Sequence, residues 1–449
     1  KPCPPLLIPP LGTMLRSVLA VLGLVACANA YVAPGAFAPL ATPRMGAVSR
    51  RPAMALRTSS AVSSVATLRA PIAKSDFVGT TFRVSTEAEL DQALNTVKMA
   101  LKDGQKPVII GLAADSGCGK STFMRRVTAC FGGEVKLNDI GRETNTLISD
   151  MTTVICLDDY HSNDRAGRKV SGLTALNPKE NNFDLMYEQV KAIKEGKPIS
   201  KPIYNHVNGT LDENEEIQPT PIVIFEGLHP FYDDRVNDLM DFRIYVDITP
   251  EVKFNWKVQR DVEERGWTVD AVKEQIEQRK PDFDAYIDPQ KKKADAIIEV
   301  LPTELEKDNK KQLKVNYVQV KGVENFEPST LFDAGADIEW VPNKDKLSFS
   351  APGLKLFQKQ DEWYGKPAQV IGMDGNFDKL DELVYVEKAF SETGSKFFGE
   401  VTQKMVEYDG QPGSSDGTGL FQTICSLKVR EIYEKIAKVT VPAEEAVAA

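Results

Sequence analysis

Pro107-Val-Ile-Ile-Gly-Leu-Ala-Ala-Asp-Ser-Gly-Cys-Gly-Lys-Ser-Thr122 is the stretch that decides how this chain folds. Its apolar run, Val108–Ala113, shows no alternation and reads as a strand buried on both faces, as parallel strands are. A turn of small residues follows, and Lys120-Ser121-Thr122 opens a helix. Strand, glycine loop and helix start together are the context of a phosphate-binding loop. Backbone N–H groups at the helix N-terminus point at an anion, and the helix dipole favours negative charge there. The candidate nucleotide cradle is therefore Ala114, Asp115, Ser116, Gly117, Cys118, Gly119, Lys120, Ser121 and Thr122. Lys120 is placed to bridge outer phosphates, and the Ser121 hydroxyl to ligate Mg²⁺. Ala114 stands where the pattern wants glycine.

Downstream, further apolar runs end in polar residues. Thr153–Leu157 leads into Asp158-Asp159-Tyr160-His161, and Pro221–Phe225 into Glu226-Gly227-Leu228-His229. Phe242–Ile248 and Asp295–Leu301 read as two more strands. Helical spacing is expected over Asp184–Glu195, 250–265 and about 268–279, and Lys201–His206 is extended. Gly132–Asn145 is polar and reads as a surface loop. Strands alternating with helices predict an α/β fold, a doubly wound and mainly parallel sheet. Past residue 302 short alternating segments appear (Leu313–Val320, Ile338–Val341, Leu347–Ser350, Ala368–Met373), with helices near Phe377–Phe390 and Gly419–Lys438. They predict a C-terminal α+β extension over 303–440 behind a kinase-like core over 76–302, and a frayed tail over 441–449.

The first 75 of the 449 residues differ in texture: they hold eight basic residues and no acid. Taking those eight charges from the formal −9 leaves −17 on the remainder. Such a body is unsuited to non-specific nucleic-acid binding, which needs clustered positive charge. Met14-Leu15-Arg16, the apolar Ser17–Ala26 and Ala28-Asn29-Ala30 form a signal-peptide pattern, too short to span a bilayer. The acid-free Ala/Ser/Pro/Arg stretch after Tyr31 has transit-peptide composition. Residues 1–75 thus resemble the bipartite leaders of secondary plastids, removed on import, with residues 1–13 reading as upstream sequence. An amphipathic helix is expected over Glu87–Leu101. No other segment approaches membrane-span length, so no membrane association is expected.

Ligands bind at the carboxyl ends of strands in such sheets, and all three histidines (His161, His206, His229) lie at or near these ends. Phosphoryl transfer needs held phosphates, a bridging metal, an aligned hydroxyl and a carboxylate to take its proton. Asp158 is the best-placed base, and Ser121, Glu226 and Asp158 are the candidate metal ligands. On the helix after residue 250, Lys257 shares a face with Arg260 (i, i+3), and Lys257–Asp261 (i, i+4) could be a simple surface bridge. Arg260 and Arg265 share a face only loosely.

These motifs, together with Lys-Pro-Ile-Tyr-Asn-His206, Gln-Arg260-Asp-Val-Glu-Glu-Arg265-Gly, Arg279-Lys-Pro-Asp-Phe-Asp-Ala-Tyr-Ile-Asp-Pro-Gln290 and Gly417-Thr-Gly-Leu-Phe-Gln-Thr423, follow in the order seen in phosphoribulokinases. The resemblance covers about residues 105–438 and looks like the dimeric photosynthetic form. It implies phosphorylation of ribulose 5-phosphate by ATP and Mg²⁺ in a plastid stroma. Carried over by motif, Asp158 matches the catalytic base and Glu226 the metal-site acid. His161, Arg165 and, by placement, His206 match sugar-phosphate contacts; Arg168 and Tyr204 lie in the same segments. Lys120 belongs with the catalytic set, as do Lys257, Arg260 and Asp261, which with Arg265 match the helix that meets substrate and phosphoryl group.

Two of the six cysteines, Cys3 and Cys27, lie in the leader; Cys130 and Cys425 read as buried apolar residues. Cys118 sits inside the phosphate loop, near a helix N-terminus expected to lower its pKa. Cys156 lies two residues before Asp158. The resemblance implies that these two form a disulfide that inactivates the enzyme and is reduced by thioredoxin; two unrelated core thiols are the alternative. The stretch Trp340–Ser350 has no cysteine where the plant-type enzyme carries a second pair. That puts in doubt a redox-gated complex with glyceraldehyde-3-phosphate dehydrogenase and its small linker protein. A uridine-kinase-like or pantothenate-kinase-like enzyme is the nearest rival, and an inactive nucleotide-binding scaffold subunit the rival from another class.

Overall fold

Strand β1 (Val108–Ala114) is buried along its whole length, and the rest of the sheet is laid down on either side of it. The computed structural model describes residues 106–437 except 116, 132–135, 139, 141–143, 264–265, 307, 310, 323–337, 341–352, 391–398 and 412. It gives backbone only for Ser121, Glu263, 338–340, Ala389, Phe390 and Ala437. The leader, the Glu87–Leu101 helix, Ser116, Arg265, Leu347–Ser350 and the tail from 441 lie outside the described residues.

After β1 and helix α1 (Lys120–Ala129) come the short strands β2 (Lys136–Leu137) and β3 (Leu147–Ile148), then β4 (Thr152–Cys156). Helices α2 (Arg165–Ser171) and α3 (Phe183–Lys194) precede a hairpin of β5 (Ile199–Tyr204) and β6 (Leu211–Ile217). Next are β7 (Ile222–Gly227), α4 (Asp234–Asn237), β8 (Phe242–Ile248), α5 (Pro250–Glu263), α6 (Val269–Asp282) and β9 (Ala296–Pro302). The chain closes with β10 (Leu313–Val320), β11 (Ile338–Trp340), β12 (Leu354–Trp363), β13 (Lys366–Gly375), α7 (Leu383–Phe390), α8 (Glu400–Glu407) and α9 (Gly417–Ala437).

The main sheet runs β11-β12-β13-β10-β9-β8-β1-β7-β4-β3-β2. Its centre, β9-β8-β1-β7-β4, is parallel. These are the five strands that the apolar runs predict, and the α/β fold is the observed one, its sheet parallel at the centre. Both flanks are antiparallel. β10 pairs with β9 along Leu313–Gln319, so the sheet continues without a break through the residues after 302. Within the polar 132–145 stretch, expected as loop, Lys136 and Leu137 pair with Ile148 and Leu147 instead; an edge strand this short carries no apolar signature.

Helices cover both faces. On one, Phe123 and Val127 of α1 join Phe421, Ile424 and Leu427 of α9 over Ile110, Leu112, Ile224 and Ile244. On the other, Met186, Val190 and Ile193 of α3 pack over Ile109, Ile155, Val223 and Phe225. Each buried side chain of this size stabilises the fold by about 1.5–3 kcal/mol relative to exposure. Asn182 caps α3 by accepting from the Leu185 N–H, which starts the helix where its apolar stripe meets the sheet.

Candidate active site

The loop after β1 is shaped by two glycines with left-handed backbone, Gly117 (φ 85°) and Gly119 (φ 73°). Gly119 is the N-cap of α1; no side chain among the described residues caps that helix, and its first turn holds no acid. Its first N–H groups are thus left to an external anion. A Cβ on Gly117 would sit 3.3 Å from Nη1 of Arg260, so α5 reaches over the loop. Lys120 Nζ donates to the Asp115 carbonyl at 3.4 Å and lies 4.0 Å from Oε2 of Glu226. Burial works against the Lys120 charge, but Glu226 and then Asp158 outweigh it and hold the ammonium above its ordinary pKa. The Asp115 carboxylate meets Lys253 at 3.0 Å and Arg279 at 3.8 Å. Neither cation was singled out by the sequence reading. Ala114 is buried as the last residue of β1, and Thr122 is half-buried in α1.

Asp158 lies on the single 3₁₀ turn Leu157–Tyr160 directly after β4. Two imidazoles flank it: His161 Nε2 is 3.8 Å from Oδ1, and His206 Nε2 is 3.8 Å from Oδ2. Burial raises the carboxyl pKa, but His161, His206, Lys120 and Arg279 together hold it below the ordinary value, so the group is a carboxylate. His161 is buried, which pushes its pKa down, with Asp158 opposing. His206 is about half exposed.

What carries His206 to this place is the neighbouring Asp159, which is fully buried. Its carboxylate accepts from Lys201 Nζ, from Asn145 Nδ2 at 2.6 Å and from the Tyr204 N–H at 2.8 Å. Lys201 also meets Glu215 across the hairpin at 2.9 Å. The hairpin is therefore bolted to the end of β4. Arg165 donates to the His206 carbonyl at 3.1 Å, and Arg168 to the Tyr204 hydroxyl at 2.6 Å. Asp158, His161, Arg165, Arg168, Tyr204 and His206 form one cluster. His229 is close by but packs edge-on against Phe183 and Tyr232; burial lowers its pKa to about 4.

On α5 the Lys257–Asp261 pair, which could have been a surface bridge, is buried: the residues are 5% and 1% exposed. Lys257 Nζ lies 3.0 Å from Asp261 Oδ2 and donates to Gln275 at 2.6 Å, while Arg260 Nε donates to Asp261 Oδ1 at 2.8 Å. Burial lowers the Lys257 pKa. In Asp261 the hydrogen bonds from Arg260 and Lys257 outweigh the upward push of burial, and the carboxyl falls below its ordinary value.

Among the described cysteines, Cys118, Cys130, Cys156 and Cys425 are all free thiols. The helix N-terminus was expected to lower the Cys118 pKa. Instead burial pushes it up to about 12, with Asp115 adding to the rise and Lys120 and Lys253 opposing it. Burial, Glu226, Asp158 and Asp159 raise the Cys156 thiol well above its ordinary value. Strand β7 lies between β1 and β4, so a bond between Cys118 and Cys156 would span the end of β7. Cys130, at the end of α1, and Cys425, on α9, are buried in the core.

An Mg²⁺ ion fits these residues. Glu226 ends an apolar strand beside the loop, and its Oε2 is buried with no hydrogen-bond partner among the described residues. That oxygen is a hard donor of the kind Mg²⁺ takes. No described helix is long and apolar enough to cross a membrane.

The profile described as Phosphoribulokinase / Uridine kinase family matches residues 109–306. The chloroplastic phosphoribulokinase of Chlamydomonas reinhardtii is 60% identical over 338 residues, covering 75% of this chain and 90% of that protein. The chloroplastic phosphoribulokinase of Triticum aestivum is 58% identical over 347 residues, 76% and 86% of the two chains. The phosphoribulokinase of Synechocystis sp. is 50% identical over 338 residues, 75% and 97% of the two. The similarity therefore runs well past the family window and into the C-terminal region.

Proposed function

The chain belongs to the phosphoribulokinase family, and from that premise we propose how its residues divide the work. The enzyme is a phosphotransferase that uses ATP to convert D-ribulose 5-phosphate to ribulose 1,5-bisphosphate, a Calvin-cycle step. The reading is supported by one observation: the Lys120 ammonium of the phosphate loop lies 4.0 Å from Glu226 Oε2 at the end of the neighbouring strand, and Asp158 adds to the rise in its pKa.

Asp158 accepts the proton of the acceptor hydroxyl. As a carboxylate at neutral pH it is ready to do so, and the His161 and His206 rings on its two oxygens orient it. The free N–H groups of α1 and Lys120 bind the nucleotide phosphates. Glu226, Asp158 and Ser121 would hold Mg²⁺, which when bound would supply positive charge against that developing on the phosphates. Arg260, poised over Gly117 and braced by Asp261, stabilises the phosphoryl group in transfer, with Lys257 in support. Arg165, Arg168, Tyr204, His206 and Arg265 bind the sugar phosphate; planar guanidinium forks suit that dianion.

Regulation and place follow the same resemblance. Cys118 and Cys156 close a disulfide that thioredoxin reopens, and both thiols bear on the Lys120 ammonium. Closure would pin the loop where nucleotide must enter. The active form is a homodimer. The chloroplastic relatives support a plastid location, and the leader-like composition of residues 1–75 supports the stroma of a secondary plastid.

The test is product identification by mass spectrometry with ATP, Mg²⁺ and either ribulose 5-phosphate or uridine. Ribulose 1,5-bisphosphate alone is expected; phosphorylated uridine, or no turnover of either, would overturn the reading.

A further inference from the structure

We infer that Cys156, Asp158 and His206 form a binding site for a thiophilic divalent cation of the zinc class, and that filling this site stops the kinase. One ligand atom from each residue lies within 4.8 Å of the other two, and the His206 Nε2 to Asp158 Oδ2 separation is 3.8 Å. Tetrahedral zinc bonds of about 2.0–2.3 Å put ligand atoms about 3.3–3.8 Å apart. The cluster is thus within about 1 Å of closing on an ion.

The parts differ in rigidity in a way that suits closure. Cys156 is fixed in the sheet opposite Glu226, and Asp158 is fixed by the tight turn that follows. His206 is about half exposed just beyond β5, so it can supply the remaining movement. Its ring sits edge-on to Tyr204 at 5.1 Å and its carbonyl is held by Arg165, which limits its choice of orientation.

The donor set decides the metal. One sulfur, one imidazole nitrogen and one carboxylate oxygen suit zinc and its neighbours, whereas Mg²⁺ demands an octahedron of oxygens. The proposed Mg²⁺ ligands, Ser121, Glu226 and Asp158, share only Asp158 with this set. Three protein ligands leave a fourth position for water. On binding, the sulfur–metal bond replaces the S–H bond of Cys156, and its proton goes to solvent. No electron is transferred, and a Cys156 that is oxidised to a disulfide loses the site.

Inhibition follows because the ion ties up His206 and the Asp158 Oδ2 that faces it, the groups proposed to meet the sugar phosphate and its hydroxyl. That consequence rests on the roles proposed for His206 and Asp158 above; the metal site itself does not.

The test titrates the reduced full-length enzyme with Co²⁺, reading the sulfur-to-cobalt charge-transfer band, and then displaces it with Zn²⁺ against a chromogenic chelator. Wild type and Cys118→Ser are expected to show the band, and Cys156→Ser to lack it. His206→Ala, at a half-exposed position, checks the site without disturbing the sheet and is expected to weaken zinc binding by more than the roughly 10–100-fold that losing an outer-shell partner costs. Zinc is expected to inhibit the wild-type kinase at concentrations that fill the site. A band that survives Cys156→Ser, a band lost in Cys118→Ser, or zinc affinity unchanged in His206→Ala would overturn the site. Binding without inhibition would overturn the inhibitory consequence and the roles of His206 and Asp158, while leaving the ligands as assigned.

Discussion

The Tyr204 backbone N–H donates to Oδ1 of Asp159 at 2.8 Å, and this bond joins the end of β5 to the turn after β4. Two residues beyond Tyr204 is His206; one residue before Asp159 is Asp158. The two functional side chains meet because their structural neighbours are fastened together. Behind the fastening lies a fully buried charge triad in which Lys201 serves both Asp159 and Glu215.

Lys201→Met should therefore be costly. It leaves two carboxylates buried without a cation, a change worth about 3–5 kcal/mol. Urea unfolding should show that loss, and Lys201→Met combined with Asp159→Asn and Glu215→Gln should recover much of it. A single variant within about 0.5 kcal/mol of wild type would mean that the triad contributes nothing.

At the loop, Gly117→Ala and Gly119→Ala separate two effects. Both force a side chain into left-handed backbone, at about 1–2 kcal/mol. Among the described residues only Gly117 also has a neighbour, Arg260 at 3.3 Å from the added Cβ; at Gly119 none of them lies within 4 Å. Nucleotide affinity, measured with a fluorescent ATP analogue, should fall about tenfold further in Gly117→Ala than in Gly119→Ala, equivalent to about 1.4 kcal/mol. Equal losses would contradict the contact.

The thiol pair makes a clear redox prediction. Oxidation should abolish wild-type activity and dithiol restore it, whereas Cys156→Ser should keep its activity under oxidant. A Cys156→Ser enzyme that still loses and regains activity would remove Cys156 from the switch.

Much of this was open to reading from residues alone, for a physical reason. β1, β4, β7, β8 and β9 carry their signal as unbroken apolar runs because the parallel centre is covered on both faces. Asp158 and Glu226 stand out because each ends such a run. β6, Leu-Asp-Glu-Asn-Glu-Glu-Ile over 211–217, has no such signal: its buried residues are Glu215 and Ile217, and the burial of Glu215 makes sense only once Lys201 is across from it. Lys253 and Arg279 were missed because their partner, Asp115, lies far away in sequence. The Cys118 expectation failed because a helix terminus is a local cue, while the burial that raises the thiol depends on how the whole chain packs around it.

His229 gives the protein a pH-dependent stability. Its folded pKa is about 4 against an ordinary 6.5, so it stays neutral in the fold while the unfolded chain takes up a proton below pH 6.5. Its contribution is complete above pH 6.5 and lost as pH falls towards 4, about 3 kcal/mol over that window. In His229→Phe, which keeps an aromatic ring beside Phe183 and Tyr232, unfolding free energy between pH 7 and pH 4 should fall less steeply than in wild type. An unchanged slope would assign the acid sensitivity elsewhere.

The most direct measurement is turnover of Asp158→Asn with ribulose 5-phosphate and ATP, taken beside its nucleotide affinity. If Asp158 takes the proton, turnover should drop by about 10²-fold or more while ATP binds as in wild type. Turnover near the wild-type rate would contradict the assignment at its centre.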